Sequence, residues 1–349
     1  MSIAFRSLYV VALSALFFAL PSLTGAHEVY VLDDETIAAA LATESLNPFN
    51  AYVGNEYEFY FWGFVSLVVV TTILFASIFH LFEKQLYPLM SFLKRVAHPL
   101  VRLTVSATLI VFGWYGVLYG PELPLAALYG SAAGIMQALL IVLGIAILIG
   151  AYTRAAALIA ILVYFSAVAA GGWYVFSYVD HLGAYLLLGL MGSGAWALDS
   201  RWHAGRLLSA LHSFLEKLRP LAFPLLRMSF GLAIMLAAIY AKYVHSELAE
   251  QVVIQYDLTR FFPFDPLFVV LGAFIIEFLA GLMMFVGVAV RWTALFLAFW
   301  LTVGHIFTEE EWWVHLILYG IAVAIFCHGY DRWSLEGRYL RRSGGEPVL

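Results

Sequence analysis

The feature of the sequence that most restricts its fold is a series of apolar runs, most of them about 20 residues long. A helix of about 20 apolar residues can cross the hydrocarbon core of a bilayer, which is about 30 Å thick. The runs predict nine spans, at residues 59–81, 99–119, 123–150, 155–177, 180–198, 221–245, 265–289, 292–308 and 313–329. Composition agrees, because 63% of the 349 residues are hydrophobic and 12% are charged, whereas about a quarter of a soluble domain is charged. We therefore predict an all-α polytopic membrane protein.

The first 26 residues have the pattern of a secretory signal peptide. Arg6 precedes an apolar run, and the segment ends in small residues at Ala26, as a signal-peptide cleavage site does. Cleavage there makes His27 the first residue of the mature chain. An uncleaved signal anchor is the alternative interpretation.

Basic residues set the expected orientation, because cytoplasmic loops carry an excess of lysine and arginine. If Glu28 starts outside, the loops 82–98 and 199–220 and the tail 330–349 lie in the cytoplasm. These segments and the adjoining helix ends hold most of the basic residues: Lys84, Lys94, Arg95, Arg102, Arg154, Arg201, Arg206, Lys217, Arg219, Arg227, Arg291, Arg332, Arg338, Arg341 and Arg342. On the opposite side the mature chain has only Lys242 and Arg260. We predict a plasma (inner) membrane protein with the mature N-terminus outside and the C-terminus in the cytoplasm.

Two parts of the sequence resemble each other, and each contains four predicted spans. The alignment pairs Arg102 with Arg227, Tyr115 with Tyr240, Arg154 with Arg291 and His181 with His315. Because each copy has an even number of spans, both run in the same direction, as parallel repeats about an axis normal to the membrane. The predicted organisation is a signal peptide (1–26), an extracytoplasmic segment (27–58), a lone transmembrane helix (59–81), a first four-helix bundle (98–200), a cytoplasmic linker (201–219), a second four-helix bundle (220–333) and a cytoplasmic tail (334–349).

The two copies differ at ionisable positions within the predicted spans. Glu277 is aligned with Leu140, whereas Lys242 and His305 have no ionisable counterpart in the first copy. A charge near the centre of a span costs about 3 kcal/mol or more, so Glu277 is expected to be paired, protonated or functional. Its candidate partners are Lys242, Arg291 and His305. Glu277 is then either half of an inert ion pair that pins two helices, or a proton carrier or hydrogen-bond partner of a quinone.

A set of spaced residues in the second copy is typical of one membrane-protein family. Arg227 and Lys242 are followed by Glu277, Gly281, Gly287, Arg291 and His305 within FIIEFLAGLMMFVGVAVRWTALFLAFWLTVGH. In these residues the sequence resembles the DoxX-like family of four-helix membrane proteins, over 220–330 and more weakly over 98–200. The resemblance implies an integral membrane protein tied to redox chemistry. Named members include the membrane subunit of a thiosulfate:quinone oxidoreductase and a partner in oxidative-stress complexes.

The buried ionisable residues and the family resemblance together nominate the candidate site. The candidate catalytic residues are Glu277, His305 and Lys242. The candidate cofactor-binding residues are Arg227, Tyr240, Arg291, His315 and His181. His181 and His315 each begin a predicted helix, so local hydrogen bonding is the alternative to a proton relay or metal ligation.

Metal sites have little support in the sequence. The single cysteine, Cys327, excludes intramolecular disulfides, CxxC redox pairs, c-type haem attachment and cysteine-ligated zinc or iron–sulfur centres. After signal cleavage, the amine and imidazole of His27 form a candidate copper site with a histidine from elsewhere. His305 and His315 with Glu309 or Glu311 are a further candidate metal site of mixed nitrogen and oxygen ligands.

Three functions are compatible with these observations. We expect a membrane subunit that exchanges electrons and protons with the quinone pool through Glu277, Lys242 and His305. One alternative is a non-catalytic scaffold whose segment 27–58 docks an extracytoplasmic redox or assembly partner. The other is a transporter. A nucleic-acid partner is not expected, because the sequence has neither a basic stripe nor a phosphate-binding loop.

Overall fold

The computed structural model describes residues 31–43, 46–54, 56–194, 197–199, 209–308 and 311–340, so the predicted signal peptide and His27 lie outside the described residues. The helices are α1 (Asp34–Leu41), α2 (Tyr57–Gln85), α3 (Tyr87–Tyr115), α4 (Leu125–Tyr129), α5 (Ala133–Ile149), α6 (Thr153–Gly171), α7 (Val179–Met191), α8 (Ser209–Leu218), α9 (Ala222–Ile239), α10 (Ser246–Gln255), α11 (Pro266–Val286), α12 (Val290–Thr308) and α13 (Leu316–His328). Two short strands, β1 (Val117–Leu118) and β2 (Gly120–Pro124), form an antiparallel ribbon. Turns of π-helix follow α9 (Tyr240–Val244) and α13 (Glu336–Leu340), and 3₁₀ turns cover Pro48–Ala51, Gly130–Ala132, Trp173–Tyr178, Arg219–Leu221 and Leu258–Arg260.

The described part of the chain has the helices of a polytopic membrane protein. Eight stretches are long and apolar enough to cross a bilayer: Tyr57–Leu74, Pro88–Tyr115, Leu125–Ile149, Thr153–Gly171, Trp173–Met191, Phe214–Val244, Pro266–Val286 and Val290–Thr308. Helix α13 is apolar but shorter, with 13 residues. The predicted helical class is therefore confirmed.

Three segments differ from the predicted spans and loops. The expected loop 82–98 is helical, because α3 restarts at Tyr87 with Pro88 in its first turn, where a missing N–H costs no hydrogen bond. In the run 123–150, the first two residues belong to the ribbon, and the 3₁₀ turn Gly130–Ala132 separates the short helix α4 from α5. The run 180–198 ends its helix at Met191, because Gly192 takes a left-handed backbone angle, φ 75°.

The helices pack in two similar groups. Helix α3 packs mainly against α5, and α9 packs mainly against α11, while α6 contacts α7 and α12 contacts α13. Between the groups, α7 packs on α9 and α13 packs on α3. At the crossing of α9 and α11 the backbones touch, since a Cβ on Gly231 would lie 2.6 Å from the carbonyl oxygen of Gly281. Only glycine allows so close an approach.

Buried arginines bind neighbouring segments at the helix ends that are farthest from the N-terminal segment. Arg227 pairs with Asp331 at 2.9 Å and donates to the carbonyl of Met284 at 2.7 Å. Arg291 donates to the carbonyl of Phe326 at 3.1 Å. The guanidinium of the neighbouring Arg332 lies over the Trp333 ring, 5.2 Å from its centroid. Asp331 instead faces inward and neutralises the buried arginine.

The N-terminal segment (described residues 31–43 and 46–54) packs on the second group of helices. Helix α1 contacts α10, and the turn Pro48–Ala51 contacts α11. The Tyr256 hydroxyl donates to the carbonyl of Val31 at 3.0 Å, and Tyr52 stacks on Phe61 of α2 with ring centroids 3.9 Å apart. The segment thus covers this end of the second group and holds the first turn of α2.

Candidate functional site

A large cavity lies in the second group of helices, beneath the N-terminal segment. Its volume is about 510 Å³, and its walls come from the start of α2 and from α9 to α13. Most of the lining is aliphatic or aromatic, for example Phe64, Phe268 and Leu301. Ligand cavities typically measure about 300–1,000 Å³ and combine apolar walls with a few polar groups. The cavity has the size and character of a binding site for an apolar molecule.

The polar end of this cavity is formed by Glu277, Lys242 and Trp300. The Lys242 ammonium lies 3.0 Å from Oε2 of Glu277, and the two side chains are 22% and 17% exposed. The Trp300 indole N–H donates to Oε1 of the same carboxylate at 2.8 Å. Both carboxylate oxygens are therefore engaged by donors, and the charges are balanced in apolar surroundings. A bound molecule with a polar head would meet two donors and one acceptor here.

Three different elements bring these groups together. Glu277 lies at the middle of α11 and Trp300 at the middle of α12. Lys242 lies in the π-helical turn Tyr240–Val244, which extends α9. Such turns are rare and occur often at functional sites, because the extra residue redirects side chains. Trp300 was absent from the sequence-based candidates, since a tryptophan in an apolar run has no distinguishing pattern of its own.

A second, small cavity of about 30 Å³ lies next to the large one. His181 and His315 both line it, and His315 also lines the large cavity. Asp180 is 1% exposed and His181 is 2% exposed, and Oδ1 of Asp180 lies 3.2 Å from Nδ1 of His181. The structure thus brings the two aligned histidines to one polar spot between the helix groups.

The remaining predicted site residues are not part of the lining of the large cavity. Arg227 and Arg291 are bound at the other end of the helices, and neither lines it. Tyr240 contacts Tyr174 and His245 with ring centroids 5.1 and 4.8 Å apart. His305 is half-buried on α12 and is not part of the lining. The cofactor roles of these residues remain predictions.

The equivalent region of the first helix group is packed with side chains. Leu140, aligned with Glu277, is fully buried in the core. Tyr119 and Tyr164 belong to the same core, with ring centroids 5.8 Å apart. The Gln137 amide packs on Gly116, where a Cβ would lie 2.7 Å from its nitrogen.

The metal predictions gain no support from the described residues. Those residues contain no group of three or more His, Cys, Asp or Glu side chains arranged to hold a metal ion. The copper candidate His27 lies outside the described residues, as do Glu309 and Glu310. The neighbouring Trp313 is buried and stacks on Tyr115 at 4.8 Å, so it is a core residue, whereas Trp312 is exposed.

No protein-family model matches the chain, and neither the search of curated proteins nor the search of solved structures found a match. Its function is therefore inferred from its own residues.

Proposed function

We propose that the protein is a redox-associated integral membrane protein that binds a quinone in the large cavity and exchanges protons with it. The observation that carries this proposal is the placement of Glu277, Lys242 and Trp300 at the polar end of an otherwise apolar cavity. A quinone has the matching chemistry, because its ring carbonyls accept hydrogen bonds and its tail is apolar.

The three polar groups have different roles in the proposed reaction. Lys242 and Trp300 donate hydrogen bonds to the carbonyl oxygens of the ring. The two donors already lie close to each other, because both contact the Glu277 carboxylate. Reduction of a quinone to a quinol takes up two electrons and two protons. Glu277 is the group within the cavity that delivers a proton as charge develops on the ring oxygens. The electrons come from an extracytoplasmic redox partner.

Topology and family form the second part of the proposal. We place the end that carries the N-terminal segment outside the plasma (inner) membrane, on the basis of the basic residues in the opposite loops. We also propose two parallel four-helix repeats, related to the DoxX-like family. Equivalent contacts support this, since both Gly150 and Gly287 end a helix in the left-handed region and approach the aligned residues Arg102 and Arg227.

Quinone binding can be tested by filling the cavity without disturbing its charges. Gly304 lines the cavity, and a Cβ added there meets no atom within 4 Å. We expect Gly304→Leu to lower the affinity for a short-chain quinone at least tenfold, measured by titration calorimetry in lipid nanodiscs. The matched control is Gly63→Leu on α2, where a Cβ also meets nothing and which is not part of the lining.

Polar variants test the role of the cavity's charged end. Glu277→Gln keeps an acceptor for Trp300 but removes the proton carrier, so quinone still binds while its proton-coupled reduction slows. Glu247→Gln is the control, because this buried carboxylate faces His245 at 3.2 Å and is not part of the lining of either cavity. Unchanged binding in Gly304→Leu, or an unaltered reduction rate in Glu277→Gln, would contradict the proposal.

A non-catalytic assembly subunit is the second candidate function, and the surface of α2 favours it. Beyond its first turns this helix exposes Leu67, Val70 and Ile73, each by half or more. If the purified protein binds no quinone but retains a stoichiometric second subunit, and Leu67→Ser with Val70→Ser releases it, the scaffold function replaces the quinone function.

A further inference from the structure

A small polar cavity lies between the first and second helix groups and adjoins the large cavity. We propose that it holds a water molecule and forms, with Asp180, His181 and His315, a path that carries protons from Glu122 to the large cavity. This inference rests on the proposed quinone function and adds the route by which its protons arrive.

The first argument is the hydrogen bonding of the buried pair. Nδ1 of His181 faces Oδ1 of Asp180, while Nε2 of His181 and Oδ2 of Asp180 have no hydrogen-bond partner among the described residues. Buried polar atoms are normally paired with protein or with ordered water. Both residues line the small cavity, and its volume of about 30 Å³ exceeds the ~10–15 Å³ that one water needs. A water there satisfies the histidine and the aspartate together.

The second argument is continuity with the large cavity. Four residues line both cavities: Ile234, Ala237, His315 and Leu318. Because the other three are aliphatic, only His315 among them can pass a proton. A neutral imidazole carries a donor on one nitrogen and an acceptor on the other, so it can accept a proton on one side and release one on the other. His315 is therefore the link between the small cavity and the quinone site.

The third argument is a connection to the end of the molecule. Tyr178 lines the small cavity, and its hydroxyl donates to the half-buried carboxylate of Glu122, which also accepts from Tyr174 at 3.2 Å. The Tyr178 ring lies 5.9 Å from that of His181. Glu122 follows the ribbon residue Pro121, which is exposed. The order of groups is thus Glu122, Tyr178, the water with His181, and His315.

The proton balance of the step is complete. Two electrons from the extracytoplasmic redox partner and two protons convert the quinone to the quinol. Glu277, which is ion-paired with Lys242 before the reaction, receives a proton through His315 and gives it to one ring oxygen. A second proton then follows the same route to the other ring oxygen. Asp180 holds His181 in the tautomer that has its proton on Nδ1, so that Nε2 accepts a proton through the water and then releases it to His315.

The test drives reduction of a bound short-chain quinone with an electrode, using the full chain in lipid nanodiscs. Ala233 lines the small cavity but not the large one, so Ala233→Val displaces the water and leaves every titratable group in place. We expect unchanged quinone affinity with a reduction rate that is about 100-fold lower, and the same result for His181→Phe.

Two controls keep the result specific. Ala233→Ser retains a polar cavity and should reduce quinone at the normal rate. His245→Phe removes a histidine that also faces a carboxylate at 3.2 Å, that of Glu247, but lines neither cavity. Normal rates in both Ala233→Val and His181→Phe, with quinone bound, would overturn the proton path alone. Failure of the unmodified protein to bind quinone would overturn the proposed function and the path with it.

Discussion

Removal of the Lys242 charge measures how much the ion pair in the cavity contributes to the free energy of unfolding. Lys242→Met leaves the Glu277 carboxylate in apolar surroundings with Trp300 as its donor. At the observed 3.0 Å, the pair's Coulomb energy is about 5–6 kcal/mol at an effective dielectric constant of about 20. Breaking a buried pair from one side costs about 3–5 kcal/mol. Because both side chains keep about a fifth of their surface exposed, we expect a loss of about 2–3 kcal/mol.

A double-mutant cycle separates the pair from the packing around it. Glu277→Gln keeps an oxygen that accepts from Trp300, so we expect a smaller loss of about 1–2 kcal/mol. In the double variant no charge is left uncompensated, and the predicted coupling energy is about 1–2 kcal/mol. Unfolding free energies in mixed micelles, titrated with SDS, give all four values.

The control cycle replaces the exposed Lys217 in place of Lys242. Lys217→Met should change stability by no more than about 0.5 kcal/mol and should add to Glu277→Gln without coupling. If Lys242→Met and Glu277→Gln are also additive within about 0.5 kcal/mol, the two charges do not depend on each other and the description of the cavity's polar end is wrong.

Three further predictions follow from other parts of the molecule. Gly287→Ala should lower the unfolding free energy more than Gly54→Ala. Both glycines have positive φ (77° and 71°), a backbone strain that costs an alanine about 1–2 kcal/mol. Only at Gly287 would the added Cβ also meet backbone, 2.8 Å from Cα of Ser334. Arg227→Met should cost about 3–5 kcal/mol by leaving Asp331 buried without its counter-charge, and Asp331→Asn in the same chain should recover part of this. Burial, with a contribution from Asp265, raises the pKa of Glu250 above 4.5, so its carboxyl destabilises the fold as pH rises through the folded pKa. Glu250→Gln should therefore raise the melting temperature at pH 7, and the gain should vanish below pH 4.5, the ordinary pKa of the side chain.

The helices and the contact between Glu277 and Lys242 could be predicted from the sequence, because each follows from a pattern within a short segment. Apolar runs predict spans from length alone, and a central glutamate requires a partner, of which the sequence offered Lys242, Arg291 and His305. The structure selects Lys242, since the π-helical turn carries it over the middle of α11. Arg291 is bound at the far end instead.

The cavity itself could not be predicted, because it is the space left unfilled between α2 and the helices α9 to α13, which are far apart in sequence. Trp300 is recognisable as a site residue only once its indole nitrogen is seen on Glu277. The cover formed by the N-terminal segment depends on contacts between residues far apart in sequence, such as Tyr256 with Val31. No periodicity within either segment encodes such a contact.

The comparison of the two helix groups gives the strongest reason to regard the cavity as functional. Where packing alone is selected, a position in the span is best filled by an aliphatic side chain, as Leu140 does in the first group. The second group places Glu277 at the aligned position, next to a cavity of about 510 Å³, and both a charge and an unfilled volume lower stability. An ion pair that only joined helices would need no cavity beside it. The two features together are therefore better explained by a bound molecule with an apolar body and a polar head than by helix packing.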